Sequence, residues 1–210
     1  MSSPSTKTPK SARKAKGDGH LRRAEILEAA ERIFVAEGYE GATIRKIADE
    51  VGVSSTALYM HFQDKSGILL EICERTLRRV LDCNREIAAR PLDPADRLRA
   101  MMETYIRWGL EHPNAYQLVY GARDTAGTPW PEGVSALARE SYDVFAAVVR
   151  ELKAAERLRF GGSHLTAQAL WLACHGLVAL LTARPTFEWV GREDLINATL
   201  DGALAGHVKA

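Results

Sequence analysis

At 210 residues, 46% of them apolar, the chain can form one compact body or a small domain joined to a larger one, with ample material for a core. Lys and Arg number 28 against 27 Asp and Glu, a formal charge of +1, so bulk charge says nothing about nucleic acid and only its distribution can. Cys73, Cys83 and Cys174 are scattered without CxxC spacing, no secretory leader is evident, and no apolar run reaches the roughly 18–20 residues of a bilayer span; a cytoplasmic protein with no membrane segment is expected.

Residues 1–19 are mostly Ser, Thr, Pro, Lys and Gly and are expected to form a disordered basic arm. Lys7, Lys10, Arg13, Lys14, Lys16, Arg22 and Arg23 stand against Asp18 alone in residues 1–23. Such an arm suits phosphate attraction; a solubilising tail is the other reading, and the two are compatible. A first helix over 21–37 places Ile26, Leu27, Ala30, Ile33 and Phe34 on one face. Thr43 is placed to cap a second helix whose Ile44, Ile47, Ala48 and Val51 fall at helical spacing, and Gly52 suits its stop. Ser54 can cap a third helix, with Val53 stapled on Leu58. Asp49, Glu50, Ser55, Thr56, Tyr59 and His61 are left to face outward. Two short helices around so tight a turn make a helix–turn–helix, built to present polar side chains to base edges.

Asp64 can cap a long helix to about residue 89, and Asp93-Pro94 opens another to about 111. His112-Pro113-Asn114 should break it before a shorter helix over 115–122. Residues 121–133, with Gly127, Pro129 and Pro131, read as a mobile loop. Helices over 133–158 and, capped by Ser163, 164–183 should pair as an antiparallel hairpin, and a last helix over 193–208 follows. The helix over 164–183 is apolar nearly all round, which asks for burial against more than its own domain. A homodimer is expected; a central helix fully buried in a monomer is the alternative.

The stretch TIRKIADEVGVSSTALYMHFQDKSGIL resembles the DNA-binding segment of the TetR/AcrR family of bacterial transcriptional regulators, most specifically in LYMHFQDK, 58–65. The preceding GYEGAT matches that family's turn after the first helix. Further on, Trp171, His175 and Gly176 in WLACHGLVALL resemble the Trp…His-Gly signature of one C-terminal subclass. The resemblance implies an all-α fold: an N-terminal three-helix helix-turn-helix domain, placed at 20–66, and a C-terminal helical ligand-binding and dimerisation domain over 67–210. In that family the last long helices pack on their twofold mates as a four-helix bundle. The implied partners are double-stranded DNA bearing a palindromic operator, a second copy of the chain and an unidentified small-molecule effector. Repression is the usual direction.

DNA recognition needs a few groups on base edges and more on phosphates. Ser55 and Thr56, at the start of the third helix, are assigned to base or near-base contacts, with Ser54 capping and Tyr59 and Met60 close behind. Carried over from the family pattern, Tyr59 and Lys65 would hold phosphates on either side and Thr43 would add a backbone contact. Arg45 and Lys46 are exposed helpers. His61 either donates to a phosphate or serves in capping and packing. Thr56 departs from the small Gly or Ala common there, and its methyl suits thymine. In the C-terminal body Tyr105, Trp108, Tyr116, Tyr120, Trp130, Phe145, Trp171 and His175 are expected around a cavity for a small, mostly apolar molecule. Each also reads as a core aromatic, and Trp171 with His175 are either a pocket wall or a packed pair.

Catalysis is not expected, and no cofactor or metal is called for. HExxH, P-loop and GxSxG patterns are missing, and none of the six histidines has Glu three residues before it. A helical scaffold for a protein partner is the remaining rival. The Ser54 cap, Tyr59, Lys65 and the basic arm argue against it.

Overall fold

Helical spacing in the sequence becomes helix almost throughout the computed structural model, which describes residues 18–120 and 132–209. In chain order the helices are α1 (Asp18–Gly41), α2 (Ile44–Val51), α3 (Ser55–Tyr59), α4 (Lys65–Ala88), α5 (Pro94–Glu111), α6 (Pro113–Tyr120), α7 (Glu132–Ala154), α8 (Ser163–Ala183) and α9 (Arg192–His207). Most of the expected arm, the bulk of the expected loop, and Trp130 lie outside the described residues.

Local chemistry sets most boundaries. The Thr43 hydroxyl accepts the Lys46 N–H at 3.2 Å to start α2, and Gly52 ends it at φ 71°, a left-handed conformation open to glycine at little steric cost. Ser54 Oγ accepts the Ala57 N–H at 3.1 Å to start α3. Asp64 starts α4 by accepting from the Gly67 N–H at 2.8 Å and the Ser66 hydroxyl at 2.6 Å. Asp93 Oδ1 accepts the Ala95 N–H at 2.8 Å at the head of α5.

Four boundaries differ from expectation. α1 runs on to Gly41 across a kink at Gly38, whose φ is 72°. α6 starts at Pro113, because a proline with fixed φ and no N–H suits a first helical position. α7 stops at Ala154, where Glu156 takes φ 54° and the Arg157 N–H turns back to the Leu152 carbonyl at 2.9 Å. Leu158 then forms an isolated antiparallel bridge to Val208 that ties down the end of the chain. α8 makes no side-chain cap: Ser163 is its first residue and Gly162 stands at the cap position.

Two cores result. Ile26, Leu27, Ala30 and Phe34 of α1 close with Ile47, Ala48, Leu58, Phe62, Ile68 and Ile72 into a head. Each fully buried Ile, Leu or Phe side chain among them contributes about 1.5–3 kcal/mol relative to exposure. The larger core gathers α5, α7, α8 and α9 around Leu98, Met102, Ile106, Val149, Leu170 and Val178. α4 belongs to both: its first turns sit in the head, and its later turns pack along α7 in the most extensive helix–helix contact. α6 also joins them, with Leu118 against the head core and Tyr116 buried in the larger one.

α8 is long and apolar enough to cross a membrane by length and composition, contrary to the sequence reading. Only part of it is buried. It packs on α5, α7 and α9, while Leu165, Leu172 and Leu180 remain exposed.

Candidate nucleic-acid interface and ligand cavity

The two caps place α3 on the head's surface with Leu58 buried beneath it. Beyond Leu58 the chain presents Tyr59, 55% exposed, and Met60, 85% exposed, two large side chains with no core of their own. Thr56 is exposed beside them and Ser55 half-buried. Thr43 and Ser54 are exposed at the starts of α2 and α3, with their hydroxyls on the caps just described. Arg45 is exposed and lies 3.8 Å from Asp49. Lys46 is engaged: it pairs with Glu37 and donates to the Gly41 carbonyl at 2.9 Å. His61 is half-buried, and its carbonyl accepts from Arg23 at 2.9 Å.

Lys65 is engaged within the head. Its ammonium donates to the Tyr39 carbonyl at 2.7 Å and the Ala42 carbonyl at 3.3 Å, sits 4.3 Å from the centroid of the Tyr39 ring, and lies 3.8 Å from Glu40. That geometry closes the end of α1 against α4, and a phosphate would compete with partners already in place. The signal was the tyrosine and free carbonyls of GYEGAT, whose proximity to Lys65 is set only by folding.

Inside the larger core is a cavity of about 240 Å³, lined by residues of α4 to α8. Tyr105, Tyr120, Phe145 and Trp171 are in its wall. Trp108, Tyr116 and His175 are not: Trp108 packs on the His112 ring, and Tyr116 is buried with its hydroxyl 2.7 Å from His175 Nδ1. The Tyr105 hydroxyl is 3.3 Å from the same nitrogen, so Tyr105 connects the wall to this inner pair. Burial lowers the His175 pKa, which favours the neutral ring, and the Tyr116 hydroxyl donates to the His175 carbonyl at 3.2 Å. Burial likewise raises Tyr105 and Tyr120, raises Tyr116 to about 12 and pushes the Cys174 thiol to about 12, so all stay protonated at neutral pH.

The sequence reading missed the rest of the wall, notably Asn84, Ser141 and Tyr142. Asn84 and Ser141 are buried polar residues on apolar-patterned helices, and that mismatch was the available signal. Among the described residues no group of three His, Cys, Asp or Glu could hold a metal ion.

A capped helix–turn–helix head set on a helical body that encloses a cavity defines a class of bacterial regulators, and comparison with known proteins agrees. Residues 26–72 match the family described as bacterial regulatory proteins, tetR family, and residues 98–203 match the tetracyclin repressor-like C-terminal domain. The chain belongs to the TetR family. It is 34% identical over 100 residues to the HTH-type transcriptional activator FasR of Mycolicibacterium smegmatis, covering 47% of this chain and 45% of that protein. It is 42% identical over 62 residues to the HTH-type transcriptional repressor AcnR of Corynebacterium diphtheriae, covering 30% and 33%. The chain thus spans less than half the length of these curated relatives, which are named as regulators rather than enzymes. Among solved structures, the TetR family transcriptional regulator PfmR of Thermus thermophilus aligns with a TM-score of 0.73 at 25% identity, over 86% of this chain and 97% of that one.

Proposed function

We propose that this chain is a DNA-binding transcriptional regulator that works as a homodimer in the cytoplasm, on the nucleoid, and is released from a palindromic operator by a small, mostly apolar effector. The observation that carries the reading is the exposed Tyr59–Met60 step directly after buried Leu58 on a doubly capped helix–turn–helix. Large side chains held out on a rigid support are what groove contact requires. In this reading Ser55, Thr56 and Met60 meet base edges, while Tyr59, Thr43, Arg45 and His61 meet the backbone.

The dimer reading rests on α8 and α9. Leu165, Leu172 and Leu180 are exposed on α8, and the space beside Gly176, Gly202 and Gly206 is open for at least 4 Å where a side chain would stand. Exposed leucines among small residues suit close approach by a second copy's helices. Two heads then fit one operator only at about 34–36 Å separation, one turn of B-DNA. Effector control follows from shared helices. Leu77, Val80 and Asn84 of α4 line the cavity while Ile68 and Ile72 of the same helix sit in the head core, and α6 bridges likewise. An effector that favours a different head spacing shifts the population off DNA. A coupling of about 1–3 kcal/mol changes affinity about 5–150-fold. Repression is the direction proposed; one relative is named an activator and another a repressor.

Selection from a random duplex pool, with binding then followed against salt for wild type and Tyr59→Ala, tests the reading. An enriched palindrome bound less tightly by the variant is the expected result. Binding that is unselective or indifferent to Tyr59 would leave the helical scaffold as the better account. Sedimentation of Leu172→Glu, expected to be a folded monomer, checks the dimer surface.

A further inference from the structure

The cavity's wall has a definite electrostatic character. No charged side chain lines it among the described residues: its polar groups are Asn84, Ser141, the phenols of Tyr105, Tyr120 and Tyr142, the Trp171 indole and the Cys174 thiol. All are neutral at physiological pH, because burial holds the Tyr105, Tyr120 and Cys174 protons in place. An anion entering here would lose its water without gaining a counter-charge.

The Asn84 amide adds a direction. Its Nδ2 donates to the Ser141 carbonyl at 3.4 Å and to Ser141 Oγ at 3.3 Å. Turning the amide over would set its oxygen against the carbonyl oxygen, so the contact with that carbonyl favours this orientation. The remaining edge, Oδ1, is an acceptor for which no hydrogen bond is found among the described residues, on a side chain nine-tenths buried in the cavity wall. An acceptor facing a largely apolar cavity has few protein donors to meet, and a ligand able to donate satisfies it.

Resting on the reading of this cavity as an effector site, we propose that it takes an uncharged, largely apolar molecule bearing one hydroxyl or amide N–H that donates to Asn84 Oδ1, and that it discriminates against carboxylates. The size of the site agrees, lying just below the roughly 300–1,000 Å³ usual for drug-sized ligands. Aliphatic and aromatic side chains such as Leu77, Val80, Met102, Val134 and Phe145 receive the apolar part.

Octanol, methyl octyl ether and octanoate form a test series of similar girth. Binding to the full chain is read by calorimetry and by tryptophan fluorescence, with Asn84→Leu as the variant and far-UV circular dichroism as the check on folding. Octanol should bind about 5- to 10-fold more tightly than the ether, the worth of one hydrogen bond. Octanoate should bind on the order of 100-fold more weakly than octanol. Asn84→Leu should remove the preference for octanol over the ether while still binding the ether. Octanoate binding as tightly as octanol, or no difference between octanol and ether on wild type, overturns the proposed chemistry while leaving the cavity an effector site. Should none of the three bind a protein that still binds DNA, the effector-site reading fails and this inference with it. The wild-type series decides the matter even if Asn84→Leu does not fold.

Discussion

Arg23 and Glu71 meet through paired hydrogen bonds, Nε to Oε1 at 2.8 Å and Nη2 to Oε2, tying α1 to α4. The third edge of the same guanidinium donates to the His61 carbonyl at 2.9 Å, and its carbon lies 4.2 Å from the centroid of the Phe62 ring. One planar cation thus fixes three things: the entry of α4, the end of α3 and the helix behind them. The carboxylate explains why the arginine pKa is raised. Lysine could not reproduce this fork.

Arg23→Ala should therefore loosen the head more than an ordinary surface change. Charge-assisted bonds are worth about 1.5–3 kcal/mol, but more than a third of the Arg23 side chain is exposed, so a loss of about 1 kcal/mol is expected. Denaturant unfolding gives the stability. DNA affinity should fall further than stability alone accounts for, since His61 and Phe62 directly follow the exposed step. Arg23→Lys should rescue little, whereas full rescue would reduce the residue to a point charge.

Lys65→Met separates two roles. If the ammonium mainly closes the end of α1, the variant should lose about 1 kcal/mol of stability and keep the salt dependence of DNA binding. A phosphate contact predicts the opposite, a salt slope reduced by about 1 with stability intact. Titrations at several salt concentrations beside a melting curve distinguish them.

Gly109 marks the tightest helix contact. A Cβ there would come within 2.7 Å of Val178 Cγ1 and 3.1 Å of the Tyr116 ring, so α5, α6 and α8 meet where only hydrogen fits. Gly109→Ala should destabilise by about 1–3 kcal/mol despite alanine's better helix propensity. Thermal unfolding measures it, and a neutral or stabilising outcome would mean that the helices separate easily.

His175 should make stability depend on pH. Its pKa is lowered from 6.5 by burial, so below that value the unfolded chain binds a proton that the folded chain resists. Stability is therefore complete above pH 6.5 and declines as pH falls through the folded pKa. The rings around it, Tyr105, Tyr116, Tyr120 and Trp171, carry no charge that would hold the imidazolium. His175→Gln should flatten this part of the profile, checked by denaturation between pH 5 and 8 (a range of about three units around the histidine value).

What could be read from the sequence was local. Thr43, Ser54, Asp64 and Asp93 each cap through an N–H two or three residues away, so residue type and spacing suffice. Gly52 stops its helix by its own backbone freedom, and Leu58 is buried because the period of its own helix puts it beneath. The all-helical architecture, the helix–turn–helix and the family resemblance follow from such features. Tertiary structure decided matters that depend on residues far apart in the chain. It gave Lys65 to the Tyr39 and Ala42 carbonyls, turned Tyr116 and His175 toward each other, kept Trp108 out of the cavity, and brought Asn84 against Ser141 from fifty-seven residues away. Helical periodicity says that a face is buried but not which neighbour it meets. A cavity wall is made entirely of that second kind of information.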